Sequence, residues 1–325
     1  MRIGLAPVCA ILGLGILLGG AGAAKAADRI VFGLDWRAEA EYGGYYQALA
    51  NGIYARYGLD VTIRQGGPQV DQAQALLAGR LDLDLASNSY LALNLVQQQI
   101  PFRAVAAFFQ KDPSVLIAHK DQGHDSFAQL KGVPIMISAD TRAGWWNYLR
   151  VRFGYNDRQI RPYNYSLAPF LADKSAVQQG YLGSEPFLIE QQTGEVPRVL
   201  LLADAGFSGY GSLLVASDKM IATRPDVIMR FLAASREGWE EYLNGDPTPG
   251  NTLIKQANPE MTDALLAYGR GVLKSHRIVE PAQGMIGMMT QARWRDFFVS
   301  MQLAGLYPAT LDYTRAYTLK FVQAP

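Results

Sequence analysis

The sequence predicts an α/β protein of two lobes, each built on a doubly wound, mostly parallel sheet. Three observations lead there. Short runs rich in Val, Ile and Leu alternate with helix-length stretches, the rhythm of βαβ units. That rhythm restarts near residue 123, so a second unit follows the first. Hydrophobic residues make up 49% of the 325, a composition that builds a core rather than a disordered chain.

The elements follow in order. "RIVFGL" (29–34) reads as the first strand and Tyr45 to Tyr57 as the first helix. "LDVTI" (59–63) and "LDLDLA" (81–86) are strands, followed by helices over 69–78 and 89–98. "FRAVAAFF" and "SVLIAH" are two more strands. In the second unit, "AQLKGVPIMIS" gives a short helix, a turn and a strand. "AGWWNYLRVRFG" is a helix stopped by Gly154. "QIRPYNYS", "AVQQGYL" and "PRVLLLA" are strands. "EPFLIEQQTG" is a helix with Pro186 in its first turn and Gly194 just past its end. After the glycine-rich "AGFSGYG" a strand returns, "SLLVAS", and the remainder is mostly helical. Over 224–243 the apolar residues Val227, Ile228, Phe231, Leu232, Trp239 and Tyr242 fall at helical spacing. A faint echo links residues 76–89 with 170–185, which both run helix end, basic turn, strand, then a polar loop opening a helix. It reads either as chance likeness of two βα units or as two lobes aiming equivalent loops at one cleft.

The N-terminus reads as an export signal. Arg2 is followed by the apolar "VCAILGLGILLGG", and "AKA" (24–26) fits a small-x-small cleavage site. Cleavage after Ala26 leaves 325 − 26 = 299 residues and removes Cys9, the only cysteine. Thiolate chemistry, disulfides and Cys-bound metal are then excluded from the mature chain. With 30 basic and 29 acidic residues, the formal charge of +1 gives no ground for a nucleic-acid partner. His119, His124 and His276 lack ligand spacing, and the first two are expected to be solvated. Asp82 and Asp84 alternate on a strand, expected as a strand end beside a turn rather than a catalytic carboxylate pair. No G-x-S-x-G elbow is present, nor any nucleophile–base–oxyanion set. The sequence argues for binding rather than catalysis, with no cofactor or metal expected.

A family resemblance rests on "GYYQALANGIYARYGLDVTIRQGG", "DQAQALLAGRLDLDLASNS", "LKGVPIMIS" and "AVQQGYLGSEPF", in that order. The chain resembles the periplasmic substrate-binding proteins of ABC importers. It is most similar to the group that binds thiamine pyrimidine precursors, and more loosely to sulfonate, taurine and nitrate binders. The resemblance implies the type II-like two-lobed fold with two crossing segments, here near Ala118–Gly123 and Gly206–Gly211. Lobe one would be 27–121 plus 210–325, and lobe two 122–209. It implies a monomer in the periplasm that captures a small molecule between its lobes and delivers it to a membrane permease. A ligand-binding sensor subunit is the alternative role. Some eukaryotic enzymes of the superfamily make the pyrimidine with a cysteine-rich iron segment, which this mature chain lacks.

The precursor binders read Trp-x-Pro-Asn-x-Asn-His-x-Gly-x-Tyr-x-Ala after the first strand. Trp36, Gly44, Tyr46 and Ala48 match, while Ala38, Glu39, Glu41 and Tyr42 replace the proline, the asparagines and the histidine. The group's cleft glutamate falls on Glu185. Trp36 suits ring stacking, or a core place under the loop. Tyr42 suits stacking or donation from its hydroxyl, and only one of Tyr45 and Tyr46 can face the cleft. Glu39 and Glu41 are solvated loop acids or acceptors for ligand N–H groups. Ser87 and Asn88 fit a helix cap that also faces a ligand. In lobe two, Thr141, Arg142 and Gly144 open a helix whose free N–H groups would suit an acceptor, and of Trp145 and Trp146 one is expected in the core. Tyr210, in the second crossing, completes the expected set. Arg37 and Arg142 would favour an anion such as a sulfonate if they point inward, whereas Glu185 favours a flat, donor-bearing nitrogen heterocycle.

Overall fold

The computed structural model describes residues 26–322 apart from 69 and 71, together with residue 1. The expected export segment and Cys9 lie outside the described residues. Among the described residues ten strands form two five-stranded sheets. They are β1 (Asp28–Gly33), β2 (Leu59–Arg64), β3 (Leu83–Asn88), β4 (Phe102–Phe109), β5 (Ser114–Ala118), β6 (Ile135–Ile137), β7 (Ile160–Pro162), β8 (Val177–Tyr181), β9 (Arg198–Leu201) and β10 (Gly211–Ser217). The first sheet runs β2-β1-β3-β10-β4 and the second β7-β6-β8-β5-β9.

The two orders are the same pattern: second, first, third, a returning strand, fourth. The returning strand is antiparallel in both sheets. The reason is geometric. In each lobe the other strands end at the edge facing its neighbour, so a strand arriving from the other lobe starts at that edge and runs away from it. β3 and β8, the strands of the echoed segments, hold equivalent places beside the returning strand.

β5 departs from the expected lobe boundary. Its full length pairs with β8 and β9, so it belongs to the second sheet. The first crossing is therefore the four residues between β4 and β5, Gln110 to Pro113, and not Ala118–Gly123. Gly206 to Tyr210 lead into β10 as the second. Arg293, from the helix Gln291–Leu303, ties the two crossings together. Its guanidinium donates to the carbonyls of Gln110 (2.5 Å), Ser208 (2.8 Å) and Gly209 (3.0 Å).

The first helix is shorter than expected. It spans Gly43–Ala50, and a second begins at Ile53, because Gly52 takes the left-handed conformation (φ +63°) that ends helices. Helix Pro225–Asn244 packs across it and buries all six anticipated apolar residues. The approach is close enough to require glycine. A Cβ on Gly44 would lie 2.2 Å from the Trp239 ring, and one on Gly238 would lie 2.3 Å from the Gly44 carbonyl. Tyr45 fills the space below, edge-on to Phe32 (4.9 Å), Phe108 (5.1 Å) and Trp239 (5.7 Å). Such pairs add about 0.5–1.5 kcal/mol each beyond burial. No helix among the described residues is long and apolar enough to cross a membrane.

Candidate functional site

β1 ends at Gly33 and the chain crosses the rim of the sheet before a short 3-10 turn, Ala40–Tyr42. This rim carries Asp35, Trp36, Glu39 and Glu41. Asp35 is its hub. Tyr42 Oη donates to Asp35 Oδ1 at 2.8 Å, and Ser87 Oγ at the end of β3 donates to Oδ2. Burial raises the Asp35 carboxyl against these two bonds, which hold it down. Asp84 lies behind it with Oδ1 buried and unpartnered; burial, then the Asp35 charge, pushes it up to about 8. Asp82, in the bend just before β3, accepts from the Val31 N–H (2.9 Å) and faces Arg224 (3.6 Å).

The second lobe offers Glu185, at the start of helix Glu185–Thr193. Its Oε2 accepts from the Tyr181 N–H (2.8 Å) and Ser184 Oγ (2.7 Å), and its Oε1 from Tyr163 Oη (3.3 Å). The glutamate thus braces the turn between β8 and its helix.

The lobes touch along this line. Trp36 meets Tyr165 with ring centroids 4.9 Å apart and planes at 47°. Tyr163 lies 5.3 Å beyond Tyr165. Phe187 meets Tyr268 at 5.1 Å. Glu41 is 3% exposed and reaches so close to Gly183 that a Cβ there would be 2.1 Å from Oε1. Glu39, Glu41, Gly183, Ser184, Met261 and Leu265 line a cavity of about 10 Å³, the space of roughly one water. Burial, with Glu185 beside it, pushes the Glu41 carboxyl up to about 7. Burial raises Glu39 well above its ordinary value, helped by Glu41, Glu185 and Asp35. Among the described residues no group of three or more His, Cys, Asp or Glu is arranged to hold a metal ion.

The structure therefore brings Trp36, Glu39, Tyr42, Ser87 and Glu185 to one junction. Other expected residues sit differently. Arg142 turns to Asp157 of its own lobe (2.9 Å), and Arg37 to Glu260 (3.0 Å), both as exposed ion pairs. Tyr210 is buried in the second crossing, its ring 4.0 Å from the Arg293 guanidinium and its Oη accepting from the Thr290 N–H (2.9 Å). Asn88 caps its helix through the Tyr90 N–H, at 3.2 Å. The helix expected to begin near Thr141 is a five-residue piece, Ala139–Ala143, and Ser138 Oγ already takes the Thr141 N–H. Gly144 faces Tyr90 of the first lobe: a Cβ there would be 3.7 Å from its ring. Trp145 and Trp146 are both buried, as are Tyr45 and Tyr46. Burial pushes the Tyr46 phenol up to about 12. His119, expected in solvent, is buried on Phe170 and bonds its carbonyl at 2.8 Å. Tyr163 and Tyr165 are the residues that sequence reasoning missed. They follow β7 at its carboxyl end, the same position after a strand that singled out Trp36.

Comparison with known proteins agrees with this architecture. The riboflavin-binding protein RibY of Chloroflexus aurantiacus is 25% identical over 305 residues, 91% of this chain and 86% of RibY. The periplasmic aliphatic sulphonate-binding protein SsuA of Escherichia coli superposes with a TM-score of 0.66 at 14% identity, covering 92% of this chain and 94% of SsuA. The desulfurization enzyme DSZB is a more distant match, with a TM-score of 0.57 at 13% identity over 91% of this chain and 97% of that one. The fold is that of periplasmic binding proteins. The family model described as NMT1/THI5 like matches residues 39–248, from the acidic rim to the long helix beneath it. The chain belongs to the NMT1/THI5-like family.

Proposed function

We propose that this protein is the periplasmic ligand-binding component of an ABC-type importer. It captures a flat, nitrogen-containing ligand between its lobes and passes it to a membrane permease. The observation that carries this reading is the junction itself. A tryptophan at the carboxyl end of β1 faces an aromatic ring of the other lobe, with acceptor carboxylates around it. Ligands of open α/β sheets bind at that edge. The small cavity means that the lobes must part to admit a ligand and close again around it. Closure is stabilised by contacts the ligand makes only in the closed form.

The relatives support a binding role with different cargoes, a flavin in one name and sulfonates in another. A sulfonate pocket needs clustered donors. Here the junction is acidic, and Arg37 and Arg142 are held in ion pairs away from it. The flat heterocycle is therefore the better reading and the small anion the alternative. Binding without turnover is proposed, in line with relatives named for what they bind.

A thermal-shift series with riboflavin, an aminopyrimidine and ethanesulfonate tests this. Ligand at 100 times its Kd adds about 2.7 kcal/mol of stability, a visible shift. A flat ring should raise the melting temperature of the wild type and not of Trp36→Ala. A shift from ethanesulfonate alone would place the site or its ligand elsewhere.

A further inference from the structure

Two features of the junction go beyond holding a flat ring. The first is charge. Asp35, Glu39 and Glu41 of one lobe meet Glu185 of the other. Among the described residues no ion pair to an arginine or lysine is formed by Asp35, Glu39 or Glu41, and burial is the largest influence on each carboxyl. Arg270, on the helix Asp263–Ser275, donates through Nε to the Tyr242 carbonyl and through Nη2 to the carbonyls of Leu243 and Gly245. The other groups facing Glu41 are phenols: Tyr181 of β8, Tyr242 of the long helix and Tyr268. Glu41 Oε1 is buried, lines the cavity and has no hydrogen-bond partner. A buried carboxylate without a partner is too costly to persist as an anion, so the closed form needs a proton or a positive partner there.

The second is the aromatic pair. Tyr165 holds φ at +63°, in the left-handed region that residues with a Cβ seldom adopt. Such strain persists where surrounding structure enforces it, often at ligand clamps. Burial does not account for it, because Tyr165 is 39% exposed. Its ring is instead laid against Trp36 of the other lobe. A planar ligand between them requires faces about 7 Å apart, two van der Waals separations, so a modest opening of the lobes makes the slot.

We propose that the ligand is a flat organic cation, sandwiched between Trp36 and Tyr165, whose positive charge is met by Glu41 and its neighbouring carboxylates. The proposal rests on the reading of the junction as the ligand site. Aromatic faces and carboxylates both attract a cation, so the two features select the same chemistry. Where Glu41 is protonated in the closed form, taking up the cation releases that proton to solvent.

Calorimetric titration of the full chain with three probes tests this: thiamine (a cation whose charge sits on a planar thiazolium ring), riboflavin (a flat, neutral ring system) and ethanesulfonate (a small anion). Thiamine should bind at least tenfold tighter than riboflavin. Its heat should vary with the buffer's ionisation enthalpy near pH 6.5, the sign of a released proton. Glu41→Gln should lose that variation and bind thiamine at least tenfold more weakly. Tyr165→Ala should weaken binding likewise, while Tyr165→Phe should not. If riboflavin binds as tightly as thiamine, the charge assignment is overturned while the flat-ligand reading stands. Preference for ethanesulfonate, or binding of none of the three, overturns both. Unchanged affinity in Tyr165→Ala removes that residue from the clamp. Should Glu41→Gln fail to fold, the ranking of the three probes on wild type still decides.

Discussion

At the scale of single residues, Trp36 and Glu41 carry the account. Trp36 is half-buried, packed on the margin of the core and against Tyr165, so truncation removes a ligand face and part of a core contact. Trp36→Ala should weaken ligand binding roughly tenfold or more with only a small drop in melting temperature, as titration and thermal melts will show. Glu41 has a folded-state carboxyl at about 7 against an ordinary 4.5. The fold keeps a proton that the unfolded chain gives up above about 4.5, so stability falls as pH rises through that window and levels off above about 7. Asp84, pushed up to about 8, extends the same slope. Melting temperature should therefore drop between pH 5 and 8, and the drop should be smaller in Glu41→Gln. Part of this site was legible in the sequence. Trp36 and the acids stood out because they follow the end of the first strand, where a cleft lies, and Glu185 through the family resemblance. Arg142 and Tyr210 misled because sequence gives position on an element but not the partner across it. Asp157 and Arg293 lie 15 and 83 residues away from them.

At the scale of elements, periodicity located all ten strands, and packing decided what it could not. Helix breakage at Gly52 depends on one backbone angle. The sheet to which β5 belongs depends on pairing with β8 and β9, 59 to 86 residues downstream. The close helix pair gives a contrast that thermal melts can check. Gly238→Ala meets the fixed Gly44 carbonyl and should cost about 1–3 kcal/mol. Gly271→Ala, in helix Asp263–Ser275 with open space around its Cβ, should gain about 0.5–1 kcal/mol. Arg293 is the third test. Alanine there leaves three crossing carbonyls without their donor, a loss of about 1–3 kcal/mol for each one left dry. Lysine cannot fork to three acceptors in the same plane and should rescue only in part. Because both crossings hinge on this side chain, Arg293→Ala should also change ligand affinity without touching the junction.

At the scale of the whole molecule, two lobes of one pattern face each other across an acidic, aromatic seam, joined by two crossings that one arginine clasps. The repeated strand order explains the echo between residues 76–89 and 170–185: both end in the third strand and the loop it aims at the seam. Closure without a positive partner leaves carboxylates crowded, and closure on the right ligand relieves them. The central claim is that a flat small molecule is held at this seam. Native mass spectrometry of wild-type and Trp36→Ala protein, each recovered from periplasmic extract and followed by release and ultraviolet spectroscopy of any bound mass, tests it most directly. The account predicts one small molecule with heteroaromatic absorbance on the wild type and its loss from Trp36→Ala. An aliphatic or sulfonate cargo, or equal retention by the variant, would contradict it.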